Sequence, residues 1–320
     1  MSSLPIIPEQ WQDCFRLYEA GDWKGWISNR YDFAEADAML SDPMKMFEEA
    51  SVVRWHKNQR NKLAEVLWPS SCCLNGDSSS DTGNGKHSTK HTIVLKSYQA
   101  STFYNSLRLK LGVPRAIRHW NNVWLLNQKG IQTPQPVFIA LPCKPGDGQG
   151  LIAVETVGPH RRIREILTRE LEADTLLNIA GHSVEAAKFA GYCGKYARQI
   201  HDRNLVHRDF SGANILIPDD WDGSDDNLCA QFVLLDINRI RKVAPGKMTM
   251  NLRIQDLERL FMPESLLESY YSAYAGEDSG IADHRQKFLK YRRGYRRIRE
   301  TRNPVERAFL KTFTYWPRTG

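Results

Sequence analysis

The stretch "LVHRDFSGANILI", residues 205–217, decides the fold. It sets His207, Arg208 and Asp209 side by side, with Asn214 following, between two short apolar runs. Apolar runs of this length around a Ser/Gly-containing segment read as buried strands joined by a tight loop. Polar groups held in such a place are costly unless they are paired or bind something. The cluster therefore either braces a turn or builds a site.

The chain has 320 residues, enough for one large domain or two lobes sharing a cleft. With 41% hydrophobic and 25% charged residues, its balance is that of a water-soluble globular protein. No apolar run approaches the ~20 residues that span a bilayer. The opening "MSSLPIIPEQWQDCF" lacks a basic start and a long apolar core, so it does not read as a secretory signal. The six cysteines are scattered without a CxxC, which argues against a disulfide framework or a structural zinc site. The expectation is a cytoplasmic protein, peripheral on the inner membrane if it binds lipid at all. Net charge is +7, and the excess is uneven: residues 285–302, "RQKFLKYRRGYRRIRETR", hold nine Lys or Arg against the single acid Glu300. Such a balance steers a protein toward nucleic acid, anionic lipid or phosphorylated substrates.

Working outward from the loop, "FVLLDI" follows it as a short strand and helix continues from Met250 onward. Upstream, two helical segments are expected, 163–177 and 184–202. Two strands precede those, "PVFIAL" (136–141) and "GLIAVET" (150–156). Between Pro114 and Gly130, apolar residues at Ile117, Trp120, Val123, Trp124 and Leu125 give an amphipathic helix, with proline in its first turn and glycine as its stop. The strand "TIVLKS" (92–97) carries Lys96 near its end, and strands at 52–55 and 63–67 flank a polar turn. Residues 69–91, rich in Ser, Gly, Asn and Asp, read as an exposed mobile loop. Residues 1–50, rich in aromatics, read as an extension of helical turns and loops that packs on the rest. A sheet-rich first half and a helix-rich second half define an α+β protein.

The spacing His207-Arg208-Asp209-x-x-x-x-Asn214 matches the H-R-D-x-x-x-x-N catalytic loop of protein-kinase-like phosphotransferases. Three further segments fall in the order that family has. "TIVLK" stands at the lysine-bearing strand, "GLIAVETVG" at the hinge, and "FVLLDIN" at the strand that ends in D-F-G. The resemblance implies a two-lobed protein-kinase-like fold, with a small sheet-rich N-lobe (51–156) and a helical C-lobe (157–320). It also implies ATP and Mg²⁺ as cofactors. Asp209 would take or orient the acceptor's hydroxyl proton, and Asn214 and Asp236 would offer hard oxygen ligands to the metal. Lys96 would meet the α- and β-phosphates, and backbone groups at Glu155 and Val157 the adenine. His207 reads as a structural histidine rather than a proton shuttle.

The spelling narrows this further. "HRDFSGANILI" with "FVLLDINRIR", the segment "NQKGIQTPQPV", and the polar hairpin "KNQRNKLAEV" resemble the lipopolysaccharide core kinases, the Kdo/WaaP family. That likeness, over about residues 50–275, implies phosphorylation of a Kdo or heptose hydroxyl of the inner core. The sequence departs from the general kinase pattern at four places. No GxGxxG covers the phosphates, so Asn58, Arg60 and Asn61 would have to do so. His119 and Asn122 stand in the helix region where a glutamate would pair with Lys96. Asn238 replaces the glycine of D-F-G, and there is no A-P-E segment. The basic stretch 285–302 places Phe288, Tyr291, Tyr295 and Ile298 on one helical face. It would lie on an anionic membrane surface or grip lipid A phosphates, or else pack on the lobe through those aromatics. Nucleic acid is not the expected partner, because no reading module accompanies the charge. Two other readings stay open: a kinase-like enzyme acting on a protein or small-molecule hydroxyl, and an inactive nucleotide-binding scaffold.

Overall fold

The computed structural model describes residues 4–31, 36–48, 51–58, 62–69, 90–98, 113–144, 150–168, 171–179, 181–219, 221 and 231–300. The chain divides into two compact units, residues 1–128 with 133–157, and residues 129–132 with 158–320.

The first unit is built on seven antiparallel strands: β1 (Phe15–Ala20), β2 (Trp23–Ser28), β3 (Val52–Asn58), β4 (Lys62–Pro69), β5 (Lys90–Ser97), β6 (Pro136–Pro142) and β7 (Leu151–Glu155). Their order across the sheet is β1-β2-β6-β7-β5-β4-β3. Side chains alternate between the faces, and each face has its own core. Ile93, Leu95, Phe138, Ala140 and Ala153 join Leu40 of helix α1 (Ala36–Leu40) with Met46 and Phe47. Ile139, Leu141, Ile152, Val154 and Tyr98 pack instead on helix α2 (Arg115–Gln128) through Ala116, Ile117, Trp120 and Trp124. Helix α2 runs where the apolar spacing predicts it, and Gly130, at φ +63°, follows it.

The aromatic N-terminal stretch differs from the helical turns expected there. β1 and β2 pair in register and β2 continues the sheet against β6. Phe15 and Tyr18 of β1 and Ile27 of β2 are buried, while Leu17 and Glu19 of β1 are exposed. The aromatics Phe15, Tyr18, Trp23 and Trp26 favour a pleated surface over helix. Phe15 sets its ring edge-on to Trp120 and Trp124, at centroid distances of 5.4 and 5.5 Å. The Ser/Gly-rich segment lies outside the described residues, except that its ends belong to β4 and β5.

In the second unit, β8 (His160–Arg162) leads into α3 (Ile163–Ile166), and a hairpin of β9 (Leu176–Ile179) and β10 (His182–Glu185) follows. This corrects the single helix expected over 163–177. Leu177 and Val184 are directly opposed in the hairpin, and Gly181 donates its N–H to the Asn178 side chain at the turn. Helix α4 (Ala186–Asp202) packs on the later helix over Leu267–Ala275, and the strands β11 (Leu205–Val206), β12 (Ile215–Pro218), β13 (Val233–Leu234) and β14 (Arg241–Lys242) frame the polar loop. Then come α5 (Met250–Arg259), capped by the Thr249 hydroxyl, α6 (Leu267–Ala275), α7 (Ser279–Ala282) and the basic α8 (Arg285–Glu300). Phe288 of α8 is fully buried and stacks on Tyr271 at 5.0 Å, so at that position the aromatic face of α8 packs on its own unit. The side chains of Tyr295 and Ile298 lie outside the described residues.

Candidate active site

The loop is fixed from beneath by one carboxylate. Asp256, on the buried face of α5, accepts the backbone N–H groups of both His207 and Arg208, the second at 2.8 Å. Arg208 holds φ +63°, which turns two consecutive amides toward one acceptor. Burial works against a charge on Asp256. His201, whose Nε2 lies 3.7 Å from Oδ2, and the backbone N–H of His207 outweigh it and hold the carboxyl below its ordinary range. His201 in turn hydrogen-bonds the Tyr274 hydroxyl through Nδ1 at 2.8 Å.

His207 ties the loop to the following strand. Burial, its largest influence, pushes the imidazole below the usual histidine range despite the nearby acids. The neutral ring donates from Nε2 to the Leu235 carbonyl at 2.9 Å, while Nδ1 is buried without a hydrogen bond. A neutral, enclosed imidazole with one nitrogen committed is a brace for the backbone that carries Asp236.

Pairing does the rest. Ile215 faces Leu234 across β12 and β13, which brings Asn214 and Asp236 to the same end of the pair. The Asn214 amide donates to the Asp209 carbonyl at 2.9 Å, so Oδ1 is the end that could ligate a metal. Asp236 sits in the left-handed region at φ 49°, ψ 45°, and accepts from the Asn238 amide at 3.1 Å. Asn238 thus takes the place of glycine by hydrogen-bonding back to the turn residue, a habit of short polar side chains. Two adjacent hard oxygen donors fit Mg²⁺, which takes few protein ligands and leaves the remainder to water and phosphate. Among the described residues no group of three or more His, Cys, Asp or Glu forms a closed metal cage. Asp209 keeps about a third of its side chain exposed, and Arg239 sets Nη1 3.5 Å from its Oδ2.

In the sheet unit, Lys96 lies on the face that packs on α2, paired with Leu63 on one side and Ile152 on the other. Asn58 ends β3 opposite Lys62, and Leu63 beside it pairs with Lys96, so Asn58 shares the Lys96 end of the sheet. Arg60 and Asn61 lie outside the described residues. The Glu155 N–H is committed to the Gln135 carbonyl and its carboxylate accepts from the Tyr31 hydroxyl at 2.8 Å, so its carbonyl is what it has to offer a ligand. Val157 is the last residue of this unit. Asp256 and Arg239 escaped the sequence reading. The signal for Asp256 was available: an acid at a position flanked by buried Ile254 and Leu257 on an amphipathic helix needs a partner.

A loop held this way, with Asp209, the Asn214 amide and Asp236 around adjoining strand ends, has the layout of a protein-kinase-like phosphotransferase. The chain belongs to the lipopolysaccharide kinase (Kdo/WaaP) family, whose profile matches residues 76–280, more than half its length, and it is a kinase. No curated protein matches the sequence. Among solved structures, "WaaP in complex with acyl carrier protein" is similar at 14% identity and a TM-score of 0.45, over 76% of this chain and 90% of that one.

Proposed function

We propose that the protein phosphorylates a Kdo or heptose hydroxyl of the lipopolysaccharide inner core, using ATP and Mg²⁺. The observation that carries the reading is the Asp256-held loop, with Asn214 locked to the Asp209 backbone beside Asp236, in a chain of this family. Asp209 is the proposed base: it is partly exposed and is held by a loop whose backbone is braced at both ends. Asn214 and Asp236 would hold the metal, Lys96 would neutralise the α- and β-phosphates, and the carbonyl of Glu155 with the N–H of Val157 would meet the adenine. Asn58, Arg60 and Asn61 would close over the phosphates from the hairpin. A bound divalent cation would neutralise charge as the γ-phosphoryl group leaves through a loose transition state.

The acceptor belongs to a membrane lipid, and α8 supports a peripheral encounter with anionic headgroups. Lys287, Lys290 and Arg293 are exposed while Phe288 and Arg292 turn inward, which leaves an outward cationic stripe. Among the described residues no helix is long and apolar enough to cross a membrane.

The test is incubation of the purified protein with Mg-ATP and deacylated core oligosaccharide, read by mass spectrometry. The expected result is addition of one phosphate, absent with Asp209→Ala. Lack of product from the wild type, or equal product from Asp209→Ala, overturns the proposal.

A further inference from the structure

We infer that the acceptor carries an oxyanion beside the hydroxyl it presents, and that Arg239 and Arg164, at the rim of the 207–214 loop, receive it. Arg239 sets Nη1 3.5 Å from Oδ2 of Asp209, the carboxylate read as the base. That distance is longer than a good N–H···O hydrogen bond, and the two side chains are 60% and 34% exposed. Solvated pairs of this kind are weak, and exposed side chains change rotamer within nanoseconds. The guanidinium therefore rests at the base and is easily drawn to a stronger anion. Its backbone, by contrast, is pinned. Arg239 ends the 3-10 turn Ile237–Arg239, which starts from the left-handed Asp236, and Ile237 and Ile240 on either side are buried. Arg164 borders the other half of the loop. Its N–H donates to the Gly212 carbonyl at 3.0 Å, and a Cβ on Gly212 would meet the Arg164 nitrogen, Cα and Cβ. Gly212 lies three residues on from Asp209, and Arg164 is exposed. Glu165, the acid next to it in sequence, sets its carboxylate on the Arg162 N–H at 3.1 Å.

A cation at the base discriminates between acceptors. Before the acceptor binds, the guanidinium competes with any incoming hydroxyl for Oδ2. A neutral acceptor gives it no other partner and has to reach the base past an ion pair. A carboxylate or phosphate on the acceptor gives it two oxygens, which its planar fork of donors matches bidentately. Arg239 then leaves the base for that anion, and Oδ2 opens to the hydroxyl. Anchoring the anion at a fixed distance also decides which hydroxyl lies against the base. Arg164 adds a second cation for the same group from the Gly212 side. Both are specificity-determining residues, and they bear on the choice of sugar: Kdo is a carboxylic acid, whereas an unmodified heptose is neutral.

This inference rests on the proposed function, with Asp209 as its base, and the experiment keeps the two apart. Three acceptors are compared: deacylated core oligosaccharide, the same material with its carboxylates converted to methyl amides, and the same material with its phosphates removed. With saturating Mg-ATP, kcat/KM for each is measured in the wild type, Arg239→Ala, Arg239→Lys, Arg164→Ala and Lys247→Gln. Lys247 is an exposed cation outside the loop and controls for net charge. Melting curves establish that each variant is folded. The wild type should lose about tenfold or more on one of the two neutralised acceptors, the worth of a charged hydrogen-bonded pair, and which one it is identifies the anion. Arg239→Ala should lose about tenfold on the intact acceptor and little more on the neutralised one, because the anion's partner is already gone. Arg239→Lys keeps the charge without the fork and should recover only part of the preference. Arg164→Ala should narrow the preference by about threefold. Lys247→Gln should keep it whole. Equal wild-type rates on all three acceptors, or the full preference in folded Arg239→Ala, overturn the inference and leave phosphorylation of the core standing. A matching loss of preference in Lys247→Gln reduces the effect to net charge and overturns it as well. An unchanged preference in Arg164→Ala removes that residue alone. A wild type that phosphorylates none of the three fails the proposed function itself, and this inference with it.

Discussion

Arg239 holds a guanidinium nitrogen 3.5 Å from the Asp209 carboxylate, and its own side chain is 60% exposed. So exposed a pair adds little to stability, about 0–1 kcal/mol. Its effect falls on the charge and orientation of the proposed base. Asp209→Asn should lower kcat by roughly 10²–10⁴, the range of general-base contributions, and leave the melting temperature unchanged. Arg239→Ala should cost about tenfold in kcat/KM, with a weaker dependence on ionic strength than the wild type shows. Kinetics at two salt concentrations, with melting curves, check both.

Asp256 carries a heavier load. It is a buried acceptor for two loop amides, so Asp256→Asn leaves at least one of them unsatisfied and removes a charge-assisted bond. The expected loss is about 2–4 kcal/mol of unfolding free energy. A fall in kcat should accompany it, because the backbone of His207 and Arg208 is no longer held. Urea unfolding followed by tryptophan fluorescence, beside kinetics in the stable range, separates the two effects.

The strands on either side of the 207–214 loop, the strand that carries Lys96, the strands β6 and β7, and α2 were legible because each couples a periodic apolar pattern to punctuation at its ends. The loop's Asp209 and Asn214 were readable by spacing, and the strand pairing that joins Asn214 to Asp236 follows from two adjacent apolar runs. What escaped depends on contacts distant in sequence. Asp256 meets His207 across almost fifty residues, and no local pattern announces the partner of a buried acid. The edge strand β1 and its neighbour β2 were obscured because their buried positions do not alternate strictly, so the period that announces a strand is missing. The hairpin at 176–185 was obscured because Leu176, Leu177 and Ile179 also fit a helical turn.

Glu258 and Arg292 anchor α8 and should make its attachment pH-dependent. Both are buried, and Arg292 Nη1 lies 3.4 Å from the carboxylate. Burial pushes the Glu258 carboxyl up to about 7, with Arg292, Arg296 and Glu264 the other charges facing it, and burial lowers Arg292 likewise. A carboxyl whose folded pKa exceeds its unfolded value favours folding most below the unfolded value and loses that contribution as pH rises through about 7. Relative to Glu258→Gln, the wild type should therefore lose about 2–3 kcal/mol of unfolding free energy between pH 5 and pH 8. Denaturant titrations of both proteins at the two pH values check the sign. A difference that grows with pH contradicts it.

Gly212 lies between the proposed base and Asn214, and its carbonyl accepts the Arg164 N–H at 3.0 Å. A Cβ at this position would meet the Arg164 nitrogen at 2.8 Å, and backbone on both sides leaves neither partner a cheap way to move. Gly212→Ala should therefore displace the loop segment that carries Asp209 and Asn214. Its expected signature is a kcat reduced about 10–100-fold, as for small misplacements of reacting groups. Gly246→Ala is the control: it sits at φ +73° with open space around its Cβ. There the cost is conformational, about 1 kcal/mol of stability, and kcat should stay at the wild-type value. Equal kcat losses in the two variants would mean that the Arg164 contact does not set the loop's geometry.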